Sequence, residues 1–193
     1  MKTTLGLRWR QALARRSGSS LVEFTVLLPV LMLLVFATID LGRAIQINNI
    51  LVNMSREGAN LAARTSASPA YIINALVSTA ASIDMVADGK LFLTRLVGRQ
   101  VDPTCLKDCE IAVHVKEQSR SIGGAAGIAS QVYSCSHWSG GTCSLPSQEP
   151  VVAWGMPLRD GEEVRVLEAG YAYVPVSGLG MIGQRTLYSQ TAL

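Results

Sequence analysis

Three features of the sequence predict an α+β fold, with a long N-terminal helix packed against a small antiparallel sheet domain. Residues 24–39 form an uncharged apolar run, FTVLLPVLMLLVFATI. Apolar residues then continue at helical spacing as far as Ala62, and after Asp88-Gly89 the pattern breaks into short alternating stretches. Helices followed by strands, without βαβ alternation, is the order that lays an antiparallel sheet on a helix.

The first helix is expected from about residue 20 to about residue 65. Its second half carries Ile47, Ile50, Leu51, Met54, Gly58, Leu61 and Ala62 at i, i+3, i+4, i+7 intervals, one stripe of an amphipathic helix. Ser66-Ala67-Ser68-Pro69 stops it. A second helix is expected from Pro69 or Ala70 to about Val86, with Ile72, Ile73, Leu76, Val77, Ala80 and Ile83 on its apolar face. Strand patterns lie at 90–97, 110–116 (EIAVHVK), 164–176 (VRVLEAGYAYVPV) and 184–193. Residues 118–156 are rich in Ser, Gly and Pro, lack periodicity, and read as a loop-rich insertion that tailors the exposed surface. Three segments result: a basic leader over 1–18, a long helix over 19–67 with 21–39 spanning a membrane, and an α+β domain over 68–193.

The charge balance argues against a nucleic-acid ligand. Seventeen Lys/Arg against fourteen Asp/Glu give a net charge of +3. Lys2, Arg8, Arg10, Arg15 and Arg16 all precede the first acid, Glu23, which leaves twelve bases against fourteen acids in the rest. A duplex-binding surface needs its bases clustered on the folded part, since phosphate contacts are electrostatic. With 49% hydrophobic and 16% charged residues, the composition is not that of a disordered chain either.

The nineteen residues 21–39 would make about 28 Å of helix, close to the hydrocarbon thickness of a bilayer. With five bases ahead of it, the positive-inside rule puts the leader in the cytoplasm and the C-terminal domain across the membrane. Pro29 lies inside the run, where a spanning helix tolerates it better than a soluble one. Three readings fit this segment: a secretory signal with Val35-Phe36-Ala37 as its cleavage site, an uncleaved signal anchor, and a third that turns on Glu23. Glu23 at the mouth of the run separates them, because a carboxylate in lipid is costly. Ser20-Leu21-Val22-Glu23 also fits a capping box, in which serine and glutamate satisfy free N–H groups of a first helical turn.

Arg15-Arg16-Ser17-Gly18, followed by Ser19-Ser20-Leu21-Val22-Glu23-Phe24, resembles a type IV prepilin cleavage site. The core Gly18 to Phe24 and the exit Ile39-Asp40-Leu41-Gly42-Arg43 are most similar to the TadE-like minor pilins, or pseudopilins, of Tad (Flp) pili. The resemblance implies cleavage between Gly18 and Ser19 by a membrane-embedded prepilin peptidase, which would make Glu23 the fifth mature residue. It assigns Glu23, with Phe24 beside it, to assembly: the family's glutamate is thought to neutralise the N-terminal amine of a neighbouring subunit. Burying both charges is tolerable only when they pair. The implied partners are the prepilin peptidase, the inner-membrane assembly platform with its ATPase, and the other minor and major pilins. The implied place is the bacterial inner membrane, with a periplasmic C-terminal domain that enters the extracellular pilus. Adhesion and biofilm formation are further implications of the resemblance.

Cys105, Cys109, Cys135 and Cys143 all lie on the expected exported side, where an even count favours two disulfides. Of the three pairings, Cys105–Cys109 with Cys135–Cys143 is preferred, because each closes a short loop around turn residues; sequence does not settle it. The rival is a zinc site using these thiols with His114 or His137, although C-x3-C and C-x7-C match no strong zinc pattern.

His114 reads as a solvated strand residue and His137 as a surface contact beside Trp138. Residues 121–130 (SIGGAAGIAS) fit no phosphate-loop motif, and no nucleophile elbow occurs. Asp160, Glu162 and Glu163 around Gly161 form the acidic edge of a turn, too short for a calcium loop. Neither an enzyme nor a cofactor or metal requirement is therefore expected. The alternative function is a membrane-anchored periplasmic binding or scaffold protein that does not enter a filament. Its loop residues Tyr133, His137, Trp138 and Trp154 would then recognise an external ligand.

Overall fold

The computed structural model describes the backbone of residues 5–80, 82–175 and 185–193, and side chains from Leu21 onward. Two helices, α1 (Leu5–Arg64) and α2 (Pro69–Thr79), precede the strands. These are β1 (Gly89–Gln100), β2 (Ile111–Arg120), β3 (Trp138–Ser139), β4 (Thr142–Cys143), β5 (Val151–Val152), β6 (Glu163–Tyr173) and β7 (Arg185–Ala192). The chain divides into two compact units. One comprises residues 1–43 with 175–181, the other 44–174 with 182–193.

In the first unit the described structure is helical. α1 starts at Leu5, well before the expected start near residue 20, so Ser20 is an interior residue and not an N-cap. The capping-box reading is thereby corrected for the full-length chain, since a box needs a helix terminus at the serine. Pro29 lies inside the helix and leaves the carbonyl of Thr25 without its i+4 donor.

In the second unit the remainder of α1 and α2 cover one face of an antiparallel sheet. Its order is β3-β4-β2-β1-β6-β7, with β5 also paired to β2. Ile47, Leu51, Met54, Ala59 and Ala62 of α1 join Ile72, Ile73 and Leu76 of α2 over Leu91, Leu93, Leu167, Ala169, Tyr171 and Tyr173 of the sheet. Leu61, expected in the stripe, is instead 37% exposed, and Ser55 takes a fully buried place. Gly58 marks the closest approach: a Cβ there would collide with the Leu167 and Leu76 side chains. The Ser55 hydroxyl lies 3.0 Å from Ser189 Oγ and 2.9 Å from Thr191 Oγ1, a polar stitch between α1 and β7.

α2 ends at Thr79 and not near Val86. Ser78 and Thr79 return their hydroxyls to Ala75 O (2.7 Å) and Leu76 O (2.9 Å), the local bonding that competes with helix continuation. The Asp84 carboxylate then accepts from Val86 N (3.1 Å) and Ala87 N (2.9 Å), which makes 84–87 a turn. At the other end, Ser68 caps α2 through a bond from Tyr71 N, with Pro69 at its first turn. Each long strand occurs near its expected place; positions 176 and 184 of the expected strands lie outside the described residues.

The second face of the same sheet is also covered. Leu96, Val113, Val115, Leu158 and Val166 form a separate buried cluster, with Val132, Tyr133, Leu145, Val152 and Trp154 packed on it. The loop-rich segment therefore does more than tailor a surface: it forms the third layer of this unit. Its start is corrected too, because Gln118, Ser119 and Arg120 still belong to β2. A bulge makes this possible. Arg95 pairs with Glu117 while Leu96 pairs with Val115, so one extra residue puts Gln118 on the face that Val113 and Val115 occupy.

Candidate functional site

The most exposed apolar surface is on α1. Large hydrophobic side chains from Leu21 to Ile45 are exposed on all sides, among them Phe24 at 59% and Leu34 at 58%. A helix that is apolar all round belongs in lipid or inside a helical bundle. This one is long and apolar enough to cross a membrane. Glu23 lies on the exposed helix surface at the start of this run, next to Phe24, whereas Asp40 at its far end is buried. At Gly18 and Ser19, the expected processing residues, the described backbone is helical, and the Ser19 side chain lies outside the described part.

The family model for TadE-like protein matches residues 18–60. That segment is TadE-like. The match begins at Gly18, takes in Glu23, Phe24 and the Asp40–Arg43 exit, and ends on α1 before any strand. Comparison with curated proteins and with solved structures returns no match. The match thus lies on α1, ending at Asn60, and the strands have to be understood from their own residues.

In the sheet unit, Cys105–Cys109 and Cys135–Cys143 are both disulfides, with Cα separations of 5.6 and 6.0 Å. The pairing uses all four thiols and so overturns the zinc alternative, which needed them as ligands. Cys105–Cys109 closes the tip of the β1–β2 hairpin, where Leu106 projects into solvent at 99% exposure. Cys135–Cys143 ties the β3–β4 hairpin inside the insertion.

The residues expected to form a recognition loop are not gathered at one exposed surface. Tyr133 and Trp154 are half-buried on the second core. Trp138 is half-buried between Phe92, at 6.2 Å between ring centroids, and the Arg120 guanidinium, 4.3 Å above its ring. His137 alone of the four is exposed. His114 is half-buried, with Nδ1 3.1 Å from Glu149 O, a corrected placement for a residue expected to be solvated. The acidic turn pins a loop: Asp160 accepts from Gln100 N (3.0 Å) and Glu162 from Arg159 N (2.8 Å). Glu163 pairs with Lys116 (2.8 Å) and Arg95. Its hydrogen bonds from Lys116 and then Arg95 hold its carboxyl below the usual range.

Sequence reasoning missed the main polar centre. Glu168, in the middle of β6, is fully buried. Its carboxylate accepts from the Ser130 and Tyr188 hydroxyls, from Gln131 N (2.7 Å) and from Val132 N (3.3 Å). Beside it, the buried Gln118 amide reaches Thr94 Oγ1 (3.1 Å), Ser130 Oγ (3.0 Å) and Tyr133 O (2.9 Å). Burial, reinforced by the Glu168 carboxylate, pushes the Tyr188 phenol far above its usual pKa, so it stays a donor. The arrangement binds the chain's own loop. One signal was available: an acid within VRVLEAGYAY, in phase with Val164 and Val166.

Proposed function

We propose that this chain is a minor pilin, or pseudopilin, of a Tad-type pilus. In this reading it is made as a prepilin, held in the inner membrane by α1, cut after Gly18 and built into the filament, where it serves surface adhesion and biofilm formation. Its work is structural and not enzymatic. The observation that carries the reading is a coincidence of place. The TadE-like match falls on the segment where Glu23 stands at the head of an exposed, charge-free helix surface. Lipid before assembly and neighbouring helices after it would both satisfy that surface.

The helical leader gives cleavage a structural consequence. Cutting after Gly18 would move the helix terminus to Ser19, and Ser20 with Glu23 would then occupy a first turn. The capping box that the full-length helix lacks would become available, and the new amine would lie about one turn from the carboxylate. Five positive charges would leave with the leader, so the 175-residue product would be slightly acidic.

Mass spectrometry of the chain extracted from membranes tests the processing step. A first residue of Ser19 supports the pilin. Met1 supports the uncleaved anchor of a periplasmic binding protein, and Thr38 supports a secreted product. Glu23→Ala tests assembly: cleavage is expected to proceed while incorporation into sheared filaments falls at least about tenfold, the loss of one buried ion pair. Normal incorporation of that variant would remove the role assigned to Glu23.

A further inference from the structure

The two edges of the sheet are unlike. On one side β2 is flanked by β3, β4 and β5, strands of two residues each, the short broken edge that resists pairing. On the other side lies β7, eight residues in unbroken register with β6 from Val166↔Ala192 to Tyr173↔Arg185. Among the described residues nothing pairs with its outer side. Apart from Arg185 at its start, β7 contains no charged residue, proline or bulge, the devices that protect an edge.

The orientation of the outer groups follows from the ladder. Arg165 and Leu193 exchange both backbone bonds, at 2.8 and 3.1 Å, so they form a hydrogen-bonded pair. By alternation, Thr186, Tyr188, Gln190 and Ala192 aim their N–H and C=O groups away from β6. A groove of about 470 Å³ meets this strand at Gln190 and is otherwise lined by the insertion, through Gln131, Val132, Trp154 and Met156 among others. No charged side chain lines it. Met156 is 48% exposed, and the buried indole N–H of Trp154 has no acceptor among the described residues.

We propose that β7 and this groove form a docking edge for an extended, uncharged segment of a different polypeptide, added as a further antiparallel strand. The outward groups of β7 supply main-chain pairing, and the groove takes an apolar side chain from one alternate position of the guest. A second copy of this chain fits less well. Two β7 strands related by a two-fold axis normal to the sheet would turn Tyr188 and Gln190 of the copy towards the groove. Tyr188 is already bonded to Glu168, and Gln190 is polar. The docking edge lies within the sheet unit and is independent of cleavage after Gly18.

The test uses the full chain in detergent micelles and a display library of random hexapeptides without charged residues. The expected result is enrichment of peptides with apolar or β-branched residues at every second position. Their binding should slow hydrogen exchange at the Tyr188, Gln190 and Ala192 amides. Gln190→Pro removes an outward N–H that the β6 ladder does not use, so thermal stability should be nearly unchanged while peptide affinity falls more than about tenfold. Trp154→Phe keeps an aromatic ring but loses the indole N–H and part of the groove wall, and should weaken binding about fivefold. Three results would overturn the proposal: no enriched sequence, protection of amides away from β7, or a dimer of the chain that Gln190→Pro splits.

Discussion

One sheet carries two coverings held by different forces. The helix face is joined by apolar side chains at regular spacing, with Gly58 admitting the backbone of α1 close to β6. The insertion face has a smaller apolar cluster and depends on a buried carboxylate and amide that bind the loop. Close approach occurs here as well, since Gly170 leaves room for Ile128. The difference follows from periodicity. A helix presents one apolar stripe and satisfies its own backbone, so contact area suffices to seat it. An irregular loop brings free N–H groups into the interface, and buried N–H groups need acceptors. Glu168 supplies them for Gln131 and Val132.

Glu168→Leu tests this contrast most severely. It strands two hydroxyls and two backbone N–H groups and should cost about 3–5 kcal/mol. Trp138 and Trp154 both lie in the insertion, so their fluorescence should report its release at a lower denaturant concentration than far-UV circular dichroism reports loss of the sheet. Coincident transitions with little loss of stability would show that apolar contact alone holds the loop. On the opposite face Gly58→Val should destabilise by about 1–3 kcal/mol through overpacking against Leu167 and Leu76, with the two signals moving together. Ser55→Ala removes the stitch to Ser189 and Thr191 and should cost about 1 kcal/mol in chemical denaturation.

The smallest effect is expected from pH. Lys116 and Arg95 hold the folded-state pKa of Glu163 below its ordinary value of 4.5. The folded state therefore binds fewer protons there than the unfolded state. The resulting stability is present above about pH 4.5 and is lost as pH falls through the lowered value. Glu163→Gln should flatten the melting temperature between pH 5 and pH 3 by a small amount, because these groups are partly solvated.

The sequence by itself determined what depends on local order. A charge-free run has a length, and a length fixes whether it can span a bilayer, so α1 and its exposed residues were legible. Spacing of three and four found Leu51 and Met54, and alternation found the long strands, because both periods are written along the chain. Ser55 and Leu61 exchanged places, since a stripe gives the direction of a helix face but not its width. Tertiary structure decided the rest. Gln131 and Glu168 are far apart in sequence, and no local pattern announces that one backbone N–H needs the other's carboxylate. The third layer and the unequal sheet edges belong to the same class. Each is a relation between distant residues, which exists only once the chain has closed on itself.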